Sequence, residues 1–579
     1  MKKNIFISVM LLGMLSFIAC DDMLDQLPKD KVSPENSFKS ENELKLYTNS
    51  LLFLFPATSL YTETADNIIT QTLPDELQGN RDASTVGGWS WGNLRKVNYF
   101  LANSYRCNNK VLQDKYDAIA RFFRAYFYFD MVRRFGDVPW YSSVLKETDT
   151  EALYKGRDSR QVILDSMLVD IDFAIRHLGE TKKLNEVTKW TALALKSRFC
   201  LFEGTYRKYH GITDYERFLD ESIAAGEALV KSGKYSIYKQ NGPEVDYRDL
   251  FTFLKANPTE VITARGYSAE LQLYHNWNYY TLTSSYGQPG LDKELVNSYL
   301  MKDGSRFTDQ EGYETMEFSQ ETLNRDPRLS QTIRIPGYKR INGTITEVPQ
   351  FGYSVTGYQM IKGVCSADYD MYNKNENDLI IYRYAEVLLN LAEAKAERGT
   401  LTQADVDKTI NEIRARVEMP ALDMAWANAN PDPYVAAQYP QVAGSNKGVI
   451  LEIRRERRIE LVMENHRYYD VVRWKSGSCF LRPFKGMYFH GPDFYDLDND
   501  GKYDLCLYKK GAKPADLKGV AQTLEIPTNI TLEHGDYGCI MVNPQIKKVW
   551  QENRDYLYPI PITETTLNPN LGQNPYWEK

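Results

Sequence analysis

The chain has 579 residues, 43% of them hydrophobic and 25% charged, which bounds it as a large globular protein whose core needs neither metal nor disulfide to hold it. A formal net charge of −7 argues against a nucleic-acid partner, because a phosphate-binding surface carries a basic excess. The 41 Tyr and 9 Trp supply rings with a flat apolar face and a polar edge, suited to cores and to partly wet binding surfaces alike.

The first element is a targeting segment. Met1–Lys3 is basic, Ile5 to Ile18 is an almost unbroken apolar run, and Ala19-Cys20 closes it. A basic start, an apolar stretch too short to span a bilayer comfortably and a small residue before the cleavage point describe a secretory signal over residues 1–19. Cys20 after Ala19 looks like a bacterial lipobox, although Phe17 stands where Leu is usual. Cys20 is therefore the expected lipid anchor, and the alternative is an ordinary signal peptide that ends at a Cys. Asp21-Asp22 resembles the export tags of surface-exposed lipoproteins. No second run of this kind follows, so membrane contact is expected through the N-terminal lipid alone. The six other cysteines are scattered without a CxxC, which predicts no disulfide framework, with Cys506–Cys539 the one pairing left open.

Helical spacing comes next. Ala118, Phe122, Ala125, Tyr126, Phe129 and Val132 predict a helix that stops at Gly136, with Pro139 beyond. A second runs over about 188–206, opened by a capping Thr188. A third covers 382–398 and ends at Gly399, with an antiparallel partner over 405–417. A fourth spans 449–474. The pair around Ala385–Val417, with Ala392, Ala394 and Ala396 at its contact, is of tetratricopeptide type, in a degenerate and interrupted solenoid. Residues 60–95 and 240–380 are irregular and rich in Gly, Pro, Tyr, Asn and Asp, and read as binding loops on a helical scaffold. Short alternating runs in 475–545, such as Leu505–Tyr508, predict small β-hairpins.

A search for chemistry finds no HExxH, zinc-spaced Cys/His set, GxSxG, P-loop or GxGxxG. The paired acids of a glycoside hydrolase are assembled in three dimensions and leave no local spacing, so a glycan-active enzyme stands as the least favoured alternative. One metal-like motif is present. Asp496, Asp498, Asp500 and Asp504, with Gly501, place alternate carboxylates round a tight turn, as a structural Ca²⁺ site would; the competing reading is a solvated hairpin turn. No other cofactor is expected.

Five ordered segments then converge on one family. They are Leu24–Pro28 with Asn36–Phe38; Phe122–Phe127 through Phe135–Pro139; Arg383–Asn390 with Glu393-Ala394; Glu456–Leu461 with His466–Asp470 and Arg473-Trp474; and Tyr558–Pro561 with Asn568–Leu571 and Gln573–Pro575. On these the chain resembles the SusD/RagB family of outer-membrane nutrient-binding lipoproteins. The resemblance implies a mainly α fold: a SusD-like helical scaffold with four degenerate tetratricopeptide-like helix pairs plus irregular loops and small β-hairpins. It divides the mature chain into an N-terminal helical region, 20–240, and a C-terminal region with binding loops, 241–579. It implies a surface-exposed, lipid-anchored, non-enzymatic protein of the outer membrane that binds a poly- or oligosaccharide and delivers it to a TonB-dependent SusC-like transporter. Peptide capture for the same type of transporter is the alternative. The dense charges of Arg457, Arg458, Glu460, Arg467 and Asp470 read as a buried network joining helices rather than as catalysts.

A sugar needs aromatic faces for its rings and a few polar groups for its hydroxyls. Two loop regions offer that mix. One carries Asp66, Asn67, Arg81 and Trp89; the other carries Trp277, Tyr279, Tyr280 and Tyr286. These eight are the expected glycan contacts.

Overall fold

The computed structural model describes residues 37–57, 63 and 65–578. The signal segment, Cys20, Asp21-Asp22 and the Leu24–Pro28 motif lie outside the described residues. The helices that carry the scaffold are α1 (Glu41–Ser50), α2 (Gly92–Asn103), α3 (Lys110–Phe135), α4 (Arg160–His177), α5 (Lys189–His210), α6 (Tyr215–Lys231), α7 (Tyr384–Arg398), α8 (Gln403–Lys408), α9 (Ile410–Ala415), α10 (Lys447–Glu460) and α11 (Arg467–Arg473). Their ends follow local chemistry. Thr188 caps α5 in a capping box, Gly136 ends α3 at φ +73° and Gly399 ends α7 at φ +81°, a left-handed turn that glycine enters without steric cost.

Successive helices pack in sequence: α3 on α4, α4 on α5, α5 on α6 and α6 on α7, and α7 also packs on α5 and α10. Small residues let them approach. A Cβ on Gly204 of α5 would lie 2.7 Å from Leu219 of α6, and one on Gly226 of α6 would lie 3.2 Å from Leu391 of α7. This is the mainly α, paired-helix scaffold expected from the sequence. One continuous core runs from Phe38 to Ile560 and draws on both halves of the chain. The C-terminal motif closes it: Asn574 donates to the carbonyls of Phe135 at 2.9 Å and Tyr558 at 2.7 Å, tying the chain's end to the exit turn of α3.

Two expected helices are broken. The 405–417 partner splits into α8 and α9 at Thr409, whose ψ of −84° leaves the helical region. The 449–474 helix splits between α10 and α11, where Met463 and Asn465 take positive φ. Tertiary partners hold that break open. Glu464 turns inward to Lys362 at 2.8 Å and Arg383 at 2.7 Å, and the Met463 amide donates to Glu63 at 2.7 Å.

Sheets are small. β1 (Ile68–Ile69) pairs antiparallel with β3 (Gly290–Leu291), and β2 (Val261–Arg265) with β4 (Leu379–Arg383). In the 475–545 region, β5 (Phe484–Phe489), β9 (Thr531–Leu532) and β10 (Gly538–Val542) form one antiparallel sheet, in the order β5-β10-β9. β6 (Phe494–Tyr495), β7 (Leu505–Lys509) and β8 (Gln522–Ile526) form another. There β7 and β8 run parallel, with Leu505 opposite Gln522, so this pair is joined by a crossover and not by a hairpin turn. All six cysteines among the described residues are buried free thiols; Cys506 lies in β7 and Cys539 in β10, strands of different sheets.

The charge-dense motif of α10 and α11 is internal. Glu460 meets Arg383 and Arg416, each at 2.7 Å, and Arg328 at 3.0 Å. Arg457 meets Asp470 at 2.8 Å, and Arg467 and Arg458 share Asp66 at 2.7 and 3.2 Å. Buried charges persist when paired in this way, and removing one partner of such a pair costs about 3–5 kcal/mol.

Candidate functional site

The loop that follows β2 turns into a short helix, Trp277–Thr281, with two unlike faces. Trp277, Asn278 and Thr281 point inward. The Trp277 indole donates to the Lys362 carbonyl at 3.0 Å, and the Asn278 side chain donates to the carbonyls of Ser366 (3.1 Å) and Cys365 (3.3 Å) and to Asp370 (3.0 Å). A bridge between His275 and Asn375 lays the 372–377 segment alongside. Tyr279 and Tyr280 consequently point outward, half-buried, and meet two exposed rings. Tyr286 lies 5.3 Å from Tyr279 and 4.5 Å from Tyr280, and Tyr372 lies 5.4 Å from Tyr279, all tilted or edge-on. Tyr286 and Tyr372 remain 45% and 52% exposed, so the cluster presents ring faces to solvent instead of closing into a core. Loss of hydration in the cluster, with the neighbouring phenols, pushes the Tyr286 hydroxyl upward, so it stays protonated and can both donate and accept.

Two cavities are lined by residues next to this platform in the chain. Leu282 reaches one of about 1000 Å³ that also holds Arg334, Arg340, Glu347, Asp368 and Asp370. Its guanidiniums are paired inside the cavity, Arg334 with Glu347 at 2.9 Å and Arg340 with Asp370. Gln288 reaches the other, of about 790 Å³, together with Gln71, Gln350 and Gln522. Backbone bonds fix the approach: the Gln71 amide donates to Gly287 at 2.7 Å and the Val355 amide to Gln288 at 2.9 Å.

The eight expected contact residues separate into three places. Tyr279, Tyr280 and Tyr286 come together on the platform. Trp89 is half-buried elsewhere, 5.0 Å from Phe135 and 5.4 Å from Trp91, on a cavity of about 680 Å³ between α2 and the C-terminal segment 564–571. The other four lie inside the protein. Trp277 is 1% exposed. Asp66 is locked between Arg458 and Arg467; burial alone would raise its carboxyl, but the two guanidiniums outweigh it and hold it well below the usual carboxylate range. Asn67 donates to Glu63 at 2.8 Å and accepts from Arg458 at 2.6 Å. Arg81 donates to Tyr468 at 3.2 Å and to the Asp555 carbonyl at 2.7 Å, beneath the Tyr558 ring. These four are buried and bonded within the fold, with the Arg81 Nε alone among their side-chain polar atoms left without a partner, so they hold the structure and do not face a glycan from solvent.

Sequence reasoning passed over Tyr372 and the glutamines. Tyr372 stood in the irregular 240–380 stretch between Met371 and Asn373, where composition marked the region but no spacing marked the residue.

The acidic loop connects β6 to β7. Carboxylate oxygens of Asp496, Asp498 and Asp504 lie within 4.8 Å of one another. Asp500 departs from the expected set, since it turns to Lys502 at 2.9 Å. Asp504 accepts the Leu497 amide at 2.8 Å, and Asp496 accepts the Gly501 amide at 2.8 Å, which holds the loop closed round the group.

Comparison with known proteins gives one consistent answer. Residues 259–577 match the model of the SusD family, and residues 62–199 match a model described as starch-binding, associating with outer membrane. Two SusD-like proteins of Formosa agariphila are 24% and 21% identical to the chain, over 84% and 82% of its length and 94% and 90% of theirs. A SusD-like protein of Bacteroides fragilis superposes with a TM-score of 0.69 at 23% identity, covering 95% of this chain and 100% of its own. A SusD-like carbohydrate binding protein of the same organism superposes with a TM-score of 0.68 at 22% identity, covering 92% and 99%.

Proposed function

The chain belongs to the SusD family, and on that basis we propose that it is a cell-surface lipoprotein that captures a glycan without altering it and delivers it to a TonB-dependent SusC-like transporter of the outer membrane. The observation that carries capture is the solvent-facing tyrosine platform of Tyr279, Tyr280, Tyr286 and Tyr372, next in the chain to residues that line two polar cavities. Sugar rings stack on such faces, and flanking amides and carboxylates exchange hydrogen bonds with the hydroxyls. Non-catalytic action is supported by the charge-dense motif of α10 and α11, whose acids and bases are consumed in buried pairs. Anchoring is supported by the Ala19-Cys20 lipobox, and no helix among the described residues is long and apolar enough to cross a membrane.

The test is native electrophoresis of the soluble form beginning at Asp21 through gels that contain a panel of polysaccharides, with the polymer analysed afterwards. The parent is expected to be retarded by one class of intact polymer. A Tyr279→Ala/Tyr286→Ala double variant is expected to bind about tenfold more weakly, at about 0.5–1.5 kcal/mol for each stacked ring. A double variant that migrates like the parent would remove the platform as the site. Retention of peptides and of no glycan would shift the cargo to peptide, and shortening of the polymer would make the protein an enzyme.

A further inference from the structure

The cavity beside Gln288 has an unusual lining. Charged residues make up 25% of the chain, yet no residue that lines this surface cleft of about 790 Å³ carries a charge. Its walls are carboxamides, Gln71, Gln288, Gln350 and Gln545 among them, and hydroxyls such as those of Thr523 and Thr531, interleaved with apolar groups. Several of the amides are at liberty. Gln522 spends its side chain on the Phe351 amide at 3.0 Å and the Pro349 carbonyl at 2.8 Å, whereas the side chains of Gln71, Gln288 and Gln545 have no protein partner among the described residues. Charged neighbours lie outside the lining: Glu525 accepts the Thr528 hydroxyl, Lys485 opposite Met541 is paired with Glu533 at 2.6 Å, and Lys547 follows Gln545 by two residues. The neighbouring cavity balances two guanidiniums against three carboxylates, and so offers no cationic counterpart either.

We infer that this cleft is a binding subsite for an uncharged glycan, continuous with the tyrosine platform through Tyr286, Gly287 and Gln288. The inference rests on the reading that this face captures a glycan, and it names the class. A carboxamide presents a donor and an acceptor side by side, as a pair of ring hydroxyls requires, and an uncharged sugar exchanges water for these groups at little net cost. A uronate or sulfate ester entering the cleft would lose its hydration with no cation in the lining to replace it, and would approach Glu525 as well. Chain continuity sets the geometry. Two residues after Tyr286 offers its ring, Gln288 turns into the cleft, so an oligosaccharide stacked on the platform extends into the amides.

The experiment is isothermal titration of the soluble form, with neutral, uronate-containing and sulfated oligosaccharides from the polymers of the gel panel. Binding of a neutral oligosaccharide is expected, with affinity changing by less than about twofold between about 0.1 M and about 1 M NaCl, because shrinking the Debye length from about 10 Å to about 3 Å leaves uncharged contacts alone. A Gln288→Ala/Gln350→Ala double variant is expected to weaken that binding by about tenfold while its melting temperature stays at the parent value, since each lost hydrogen bond is modest and lies at the surface. Binding confined to uronate or sulfated sugars, or an affinity that falls more than about tenfold over that salt range, overturns the uncharged class and leaves glycan capture standing. Neutral binding that the double variant retains in full overturns the cleft as the subsite. Absence of binding to any saccharide overturns glycan capture itself, and this inference with it.

Discussion

Trp277 and Tyr286 belong to one loop, yet the fold uses them in opposite ways. The Trp277 ring is packed beneath the loop with its N–H bonded to Lys362, whereas the Tyr286 ring leans on two other tyrosines and leaves a face in water. Residue type alone does not separate them, because both combine apolar area with a polar handle. The acidic loop poses a similar question about single side chains. Burial and the adjacent carboxylates both push Asp498 and Asp504 upward, so the carboxylates of the loop work against one another. A divalent cation would reverse that balance, and oxygen ligands on alternate residues suit Ca²⁺. Millimolar calcium is therefore expected to raise the melting temperature of the protein by about 1–3 °C over its value in EGTA, and an Asp498→Asn variant is expected to lose most of that response. Equal melting of the parent in calcium and in EGTA would reduce the loop to a turn.

Helix boundaries were legible wherever the signal was local. Thr188 opens α5, and Gly136 and Gly399 close α3 and α7, because a cap is set by the residue and its immediate neighbours. The breaks at Thr409 and at 461–466 were not legible. The apolar period runs through both, and the groups that open the second, Glu63, Lys362 and Arg383, come from distant parts of the chain. Helix α6 left a readable stripe of Phe218, Leu219, Ser222, Ala225, Gly226 and Leu229, and its small residues hide it from a search for large apolar ones. The candidate site follows the same division. Its outward tyrosines on one loop could be named from sequence, while Tyr372 and the amide cleft exist only after distant segments meet. Tertiary approach also decides a helix substitution. In α10, a Cβ on Gly448 would stand 1.8 Å from the Ala427 carbonyl oxygen, whereas nothing lies within 4 Å of one on Gly92, at the start of α2. Helix propensity favours alanine at both by about 1 kcal/mol. Gly92→Ala is thus expected to be neutral or stabilising, and Gly448→Ala to cost about 2 kcal/mol or more because backbone must move. Urea midpoints at unchanged m-value distinguish the two, and a Gly448→Ala midpoint at or above the parent's would contradict the packing.

Over the whole molecule, buried titratable groups pull stability in opposing directions, and the pH profile records which prevails. Burial would raise Glu393, but Arg473 more than offsets it and brings the carboxyl down to about 2; Glu203, Glu456, Glu460 and Glu464 are lowered likewise by the guanidiniums around them. A depressed carboxylate contributes stability that is present above its unfolded pKa, near 4.5, and is lost as pH falls toward the folded value; Glu393 alone is worth about 3 kcal/mol on that scale. Other carboxyls behave oppositely, and burial raises Asp117, Asp498 and Asp504 in this way. Burial lifts Glu63 and Asp292 to about 7, so their contribution is complete below about pH 4 and disappears as pH rises through 7. Burial also drops His210 and His275 to about 4 and lowers His466, and these contribute above their unfolded value of 6.5 and lose that contribution as pH falls through their folded values. Between about pH 4.5 and 6.5 the raised carboxyls and lowered imidazoles oppose one another, whereas below about 4.5 the loss at the paired acids has little to offset it. Unfolding free energy is accordingly expected to change far less between about pH 5 and about 6.5 than below about 4.5, where it falls steeply, as measured by urea denaturation across that range. Glu63→Gln breaks the balance. It keeps an acceptor for the Met463 amide but removes the carboxyl that titrates, so the histidines act with less opposition and stability should rise more with pH through that window than it does in the parent. A Glu63→Gln profile parallel to the parent's would mean that the carboxyl titrates in its ordinary range.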